Sequence, residues 1–444
     1  MDYRELTERL VARSLRLGAD AAEVYLQTSR NLSIRVRNAD VETVQEAATR
    51  GVGFRVFVDG KMGFSHCNDF DDRALDDTIR KAVAFAKLTT ADENNVLPGN
   101  LPHADIDGMY DPSIIGVPMD AKIDMALEVE ALAMKDPRIT HSSGASFGEG
   151  ESEVFIGNSN GLLKSRRQTS CSVGVSVVAE KGEERNTGSE FSSRRFFSEL
   201  DPLDEIAAKA SEKAWEMLDP RMVPTQRAAV IFDPAVGRSL LGGIIAAING
   251  DRVNQGASFL RNSVDQSFAS PLLTLIDDGT LPGMMGSAPF DGEGVPTRRT
   301  VLVENGVLRS FIYNTYAAKR AGVESTGHAS RGGFTGLPGI GTHNLWVEPG
   351  QYSQEQIIAN TRRGLLLKGV TGYGINAVNG NFSGGASGFW IENGKIAHPV
   401  KGLTIAGHAT DILNSIDMLG NDIDRNRSFT SPTMRVREMQ IGGA

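Results

Sequence analysis

One order of patterns, a helix, a group of alternating strands and a second helix, runs twice through the first 222 residues and then stops. The first pass opens with Leu6, Leu10, Val11 and Leu17 at helical spacing, ended by Gly18. Val24 and Leu26, then Leu32, Ile34 and Val36, then Val52, Phe54 and Val56 alternate with polar or small neighbours, as half-buried strands do. Asp59-Gly60 supplies a tight turn, and Leu75, Ile79, Ala82, Val83 and Ala86 line a closing helix. The second pass has a helix with Ile123, Leu127 and Met134, strand-like runs "SEVFIG" and "CSVGVSVVAE", and a helix from Asp201 with Pro202 in its first turn. Between them "TTADENNVLPGNLPHADIDGMYDPSIIGVP" is rich in turn residues and reads as a linker. The repeat lies in architecture, not in letters, and is compatible with a diverged duplication.

From about Arg227 the texture becomes strands and glycine-rich loops. "VENGVL" and "IENGKI" are two hairpin signals, since Asn305-Gly306 and Asn393-Gly394 can take the positive φ angles of a two-residue turn. Only an opening helix around "SLLGGIIAAINGD", a short one near Tyr316 and one begun by Ser353, with Gln356 in capping-box spacing, interrupt the strands. The expected fold is α+β: helix–strand–helix units on antiparallel sheet over residues 1–90 and 119–222, a linker over 91–118, and a mostly β, barrel-like domain over 227–444. A chain of 444 residues exceeds the roughly 250–300 that one core supports.

Composition removes several function classes. The net charge is -9, which repels a phosphate backbone, and the densest basic stretch, Lys164, Arg166 and Arg167, reads as a solvated strand face. No nucleic-acid contact is expected. Cys67 and Cys171 lie in separate strand regions and are expected to be reduced thiols. The start carries charges throughout, unlike a signal peptide, and apolar runs fall far short of the ~20 residues that span a bilayer. The expectation is a cytoplasmic protein without a membrane segment.

Local catalytic signatures fail one by one. The seven histidines are never closer than ten positions, so no helix carries two of them one turn apart and a local HExxH zinc grip is excluded. "GASFG" matches the pattern of a nucleophilic Ser146, but a loop and a strand follow where the nucleophile elbow needs a helix. "DIDRN" from Asp422 begins like a calcium loop, yet Arg427 and Thr433 stand where the turn glycine and the bidentate acid belong. Two glycine-rich stretches, Thr326 to Gly350 and Gly372 to Gly394, suit either turn chemistry or main-chain gripping of an extended peptide.

Four segments in order, "GRSLLGGIIAAINGDRVNQGASFL", "RRTVLVENGVLRSFIYNTYAAKRAG", "GIGTHNLWVEPG" and "NGNFSGGASGFWIENGKIAHPVKGLTIAG", resemble the PmbA branch, also called TldE, of the TldD/PmbA family. The resemblance implies an α+β N-terminal part and a β-rich C-terminal domain. In the TldD branch it implies a helix bearing HExxxH that binds the catalytic metal, with a later cysteine as a further ligand. With the helix-ending Gly250-Asp251 as anchor, Leu241, Gly242 and Ala246 occupy the positions of that histidine, glutamate and histidine, and no cysteine follows Cys171. Leu240, Leu241, Ile244, Ile245 and Ile248 still form an apolar stripe, and Gly243, Ala246 and Ala247 leave a flat flank.

The resemblance therefore implies a non-catalytic subunit of a heteromeric metallopeptidase acting on short or unfolded peptides. Catalytic residues and a metal are expected to be absent from this chain, with zinc on a TldD-like partner and a share of a substrate channel here. His328, Asn344, Asn379, Phe382 and Trp390 are the candidate channel residues. Members of the family are associated with peptide-antibiotic maturation, antitoxin degradation and modulation of DNA gyrase, the last expected to be indirect. Two alternatives stand beside this: a homodimeric peptide-binding or adaptor protein, and a self-sufficient hydrolase built on Ser146 or on distant residues such as His328 and His408.

Overall fold

The computed structural model describes residues 2–424 and 427–443. The first unit comprises α1 (Tyr3–Arg16), β1 (Ala21–Arg37), β2 (Asp40–Val58), β3 (Lys61–Cys67) and α2 (Asp72–Leu88). The second comprises α3 (Met119–Ala133), β4 (Ile139–Asn158), β5 (Leu163–Lys181), β6 (Glu184–Arg194) and α4 (Leu203–Trp215). Asp2 caps α1 by accepting from the amides of Arg4 and Glu5, and Asp71 caps α2 in the same manner from Arg73. Asp59 and Gly60 both take positive φ, as the β2–β3 turn requires.

The two units share one antiparallel sheet of order β3-β2-β1-β4-β5-β6, symmetric about a β1–β4 seam that runs from Glu23 opposite Asn158 to Val36 opposite Ala145. All four helices cover one face. Because side chains alternate, Val24, Leu26, Leu32, Ile34 and Val36 of β1 point to that face, the first two into a core with α1 and α2, the others into a core with α3 and α4. The opposite face carries Glu23, Tyr25 and, across the β1–β2 register, Arg55 and Gly53. Beyond the reach of β3, residues 40–50 of β2 remain an exposed outer edge.

The C-terminal part begins with β7 (Gln226–Phe232), α5 (Pro234–Ala247) and α6 (Gly250–Asn254). A small sheet follows from β8 (Leu275–Asp278), β9 (Arg299–Glu304) and β10 (Val307–Leu308), then α7 (Thr315–Ala321), the β11 (Ala329–Ser330) and β12 (Gly339–Ile340) pair, and β13 (Leu345–Val347). The chain continues through α8 (Gln354–Ala359), β14 (Arg363–Ile375), β15 (Asn381–Glu392), β16 (Lys395–His408), α9 (Ala409–Asn414), β17 (Ile416–Leu419), β18 (Phe429–Thr430) and β19 (Met434–Gly442). Strands β7, β14, β15, β16 and β19 close a five-stranded barrel, completed by Ile405 of β16 opposite Ile441 of β19, with β17 added alongside. A second sheet, β10-β9-β8-β13-β18, packs with α5 onto the same core.

Both Asn-Gly hairpins form, joining β9 to β10 and β15 to β16 with positive φ at all four turn residues. Ser353 and Gln356 make a reciprocal capping box. Two short helices, α6 and α9, add to the three expected in this region; each is one to two turns and too short to show a periodic stripe. Among the described residues no helix is long and apolar enough to cross a membrane.

The expectation of a solvated basic face at residues 164–167 is corrected. Lys164 is buried and donates to the carbonyls of Leu101 at 2.6 Å and Gly294 at 2.8 Å, while Arg166 donates to that of Phe290 at 3.0 Å. Both cations lie against the Phe290 ring. Their charges fasten the N-terminal sheet to the C-terminal part; only Arg167, paired with Glu151, behaves as a surface residue.

Candidate functional site

Helix α5 starts where Asp233 accepts from the amide of Ala235 and Pro234 fills the first position, whose N–H needs no partner. It lies between the barrel and β18, burying Val236, Leu240, Leu241, Ile244 and Ala247. Leu241 is 0% exposed, a core position. Gly243 is a close-approach site: a Cβ there would come within 2.4 Å of Ile375 Cβ at the end of β14. Gly242 has only Phe429 nearby, at 4.0 Å, and Ala246 is half-buried. Gly243 on the flat flank thus receives the chain's own strand, whereas the neighbouring Gly242 stays open. A metal of the kind bound by HExxxH finds no donor atom at these three positions and does not fit this helix.

Beside α5 a cleft of about 340 Å³ separates it from β6 and α4, lined by Glu190, Phe191, Arg194, Arg238, Arg427 and Phe429. Its charges are largely paired: Arg427 lies 3.1 Å from Glu190 and 4.5 Å from the centre of the Phe191 ring, and Arg194 pairs with Asp201. Burial opposes ionisation of Glu190, but Lys213 and the amide of Phe191 hold its carboxyl below the usual range. Among the described residues no histidine or cysteine lines the cleft.

The candidate channel residues separate. Asn379 is exposed, in the turn before β15, and its carbonyl lies 3.0 Å from His408 Nε2. Phe382 and Trp390 are 2% and 3% exposed inside the barrel, where alternation along β15 aims them inward with Gly384, Ala386 and Gly388 between. Asn344 is a buried structural amide, donating to Asp278 O and Ser287 Oγ and accepting from the amide of Gly286. His328 is buried as well. Four of the five therefore belong to cores and do not line a channel in this fold.

The residues of the alternative hydrolase are also apart. Ser146 sits in mid-strand on β4, paired with Arg35 and Gly174, with no helix after it. His408 caps α9 by accepting from Thr410 N. The thiol of Cys171 is pushed up to about 12 by burial, and both cysteines are free. Asp422 serves its own loop, accepting from Thr433 N and Oγ1, while Arg425 and Asn426 of the calcium-like pattern lie outside the described residues.

One constellation escaped the sequence. Asp277, His328 and His343 form the single group of three His, Cys, Asp or Glu side chains among the described residues whose donor atoms all lie within 4.8 Å of one another. Nothing local could signal it, because 66 residues separate Asp277 from His343.

Part of the first glycine-rich stretch serves packing. The loop at 331–335 seats on the open face of the N-terminal sheet: Arg331 pairs with Glu23, and Phe334 lies over Gly51 and Gly53. Arg55 bridges Glu23 at 2.6 Å and Glu293 at 2.9 Å, so a fully buried ionic set spans the two parts.

Comparison with known proteins agrees along the whole chain. Three family models match: PmbA/TldA metallopeptidase domain 1 over residues 22–86, the central domain over 112–218 and the C-terminal domain over 225–443. The metalloprotease PmbA of Escherichia coli O157:H7 is 30% identical over 99% of this chain and 97% of its own length. A crystal structure from Bacteroides thetaiotaomicron, described as a candidate modulator of DNA gyrase, superposes with a TM-score of 0.92 at 29% identity, covering all of both chains. TldE from Thermococcus kodakarensis gives a TM-score of 0.89 at 25% identity, over 98% of this chain and 99% of its own. Fold, domain matches and sequence identity together establish that the chain belongs to the TldD/PmbA family of metalloprotease-like proteins.

Proposed function

We propose that this chain is the non-catalytic subunit of a heteromeric metallopeptidase that processes or degrades short or unfolded peptides. The observation that carries the reading is the chemistry of α5: Leu241, Gly242 and Ala246 offer no lone pair where the catalytic branch of the family places its motif. Zinc and the hydrolytic step then belong to a TldD-like partner, and this chain contributes binding surface. The cleft beside Gly242, with its paired charges and the exposed Phe191, is the surface offered to an extended peptide. The exposed outer edge of β2 supplies unpaired backbone groups suited to a partner chain. Any effect on DNA gyrase is indirect, through peptide processing.

The test is to assay the isolated chain and its mixture with the TldD-type subunit of the same organism on an unstructured peptide. Cleavage by the mixture alone supports the reading. Metal-dependent cleavage by this chain alone contradicts it.

A further inference from the structure

Asp277, His328 and His343 come from the end of β8, the residue before β11 and the segment before β13, and they are 0%, 1% and 10% exposed at their side chains. Asp277 Oδ2 stands 3.0 Å from His328 Nε2 and 3.0 Å from His343 Nδ1. Its other oxygen is engaged, accepting from the His343 amide at 2.8 Å. The remaining ring nitrogen of His328, Nδ1, lies 2.9 Å from the carbonyl of Thr326. Nδ1 is also 2.9 Å from Thr326 Oγ1, whose own proton is directed at the Tyr313 carbonyl, so both neighbours accept and a proton on Nδ1 suits them, which turns Nε2 toward Asp277 Oδ2. Nε2 is buried and has no aligned hydrogen-bond partner despite that proximity. Two electron-rich atoms in a dry site call for a positive charge between them, and an ion at that point would meet both.

We propose that Asp277, His328 and His343 bind one divalent transition-metal ion of the zinc class. Ion–donor distances of about 2.0–2.1 Å imply tetrahedral donor–donor edges of about 3.3–3.4 Å, so the two 3.0 Å spacings to Oδ2 need to open by only a few tenths of an ångström. Two imidazoles beside one carboxylate favour zinc-like ions over calcium or magnesium. The Thr326 carbonyl fixes the His328 tautomer, as outer partners of metal-bound histidines do. His343 Nδ1, 3.0 Å from Oδ2, is the second imidazole donor and would bind the ion with the ring proton on Nε2. The three donors are buried or nearly so, and the ion's work is structural: it ties β8 to the starts of β11 and β13 and so anchors the loop whose Arg331 and Phe334 seat on the N-terminal sheet. It is independent of the partner's catalytic zinc.

Full-length chain purified without a metal-affinity tag is stripped with chelator and titrated with Co2+, then with Zn2+. The expected result is one equivalent bound, a visible Co2+ absorption band that Zn2+ abolishes, and a higher melting temperature for the loaded protein. Asp277→Asn and His343→Gln should each weaken binding by more than the ~10- to 100-fold that loss of an outer partner costs. His141→Ala, at an exposed histidine, should leave it unchanged. Circular dichroism of each variant confirms folding, and His343→Gln retains a polar side chain of similar reach. Folded wild-type protein that takes up no Co2+, or uptake that survives both site substitutions, overturns the proposal. Peptidase activity of the mixture is not read in this experiment, so its outcome is separate from that of the proposed function.

Discussion

A Cβ placed on Gly51 would lie 2.1 Å from Cε2 of Phe334, so the aromatic ring rests directly on the backbone of β2. The absent side chain is what lets the C-terminal loop reach the sheet. Gly51→Ala should therefore lower unfolding free energy by about 1–3 kcal/mol through overpacking, and Phe334→Ala in the same chain should recover part of that loss. Urea denaturation of the two single variants and the double variant measures the coupling; additive losses would contradict the contact.

Neighbouring glycines of α5 should respond with opposite sign. Gly242→Ala meets only Phe429 at 4.0 Å and gains helix propensity, an expected stabilisation of up to about 1 kcal/mol. Gly243→Ala drives a methyl into Ile375 and should destabilise despite the same propensity gain. Thermal melts of the pair read the difference, and equal shifts would show that β14 does not lie against Gly243.

Arg55 serves two buried carboxylates at once. Replacing it, as in Arg55→Met, leaves Glu293 without its guanidinium and Glu23 with Arg331 alone, and should cost about 3–5 kcal/mol. Adding Glu293→Gln should restore a measurable fraction, because the stranded charge is removed. Chemical denaturation of the double-mutant cycle checks this.

Asp291 gives stability a pH dependence of defined sign. Burial, then the nearby Glu293, pushes its carboxyl up to about 7, against three accepted backbone amides that pull it down. Between the ordinary carboxylate value and about 7 the folded chain holds a proton that the unfolded chain has released. Stability therefore falls as pH rises through that window, by up to about 1.4 kcal/mol per unit from this group, and levels off above it. Denaturation midpoints of wild type and Asp291→Asn at pH 5, 6, 7 and 8 should diverge in slope whatever their absolute values. Parallel profiles would contradict the shifted group.

Local patterns made much of this architecture legible. The alternation of Val24, Leu26, Leu32, Ile34 and Val36, the Asn-Gly turns and the capping box of Ser353 each depend on neighbours a few residues away, and each formed as read. The β1–β4 seam that merges two units into one sheet pairs Glu23 with Asn158, and no local pattern encodes such a pairing. The same distance effect hid Asp277 from His343. Lys164 and Arg55 were unreadable for another reason: a charged residue in an alternating strand looks solvated until the element that covers its face is known. Phe382 and Trp390 were misplaced despite a usable signal, since both share the inward parity of Gly384, Ala386 and Gly388, which leaves room for large rings inside a narrow barrel. That Leu241, Gly242 and Ala246 of α5 carry no donor atom is a matter of residue identity alone and needs no structure.

The most direct test of the proposed division of labour is the rate of peptide cleavage by the chain alone, by the chain mixed with a TldD-type subunit, and by that mixture carrying Ser146→Ala in this chain. The expected result is no turnover alone, turnover in the mixture, and no change on Ser146 substitution. Turnover by the isolated chain, or its loss from the mixture on Ser146→Ala, would contradict a subunit that binds without catalysing.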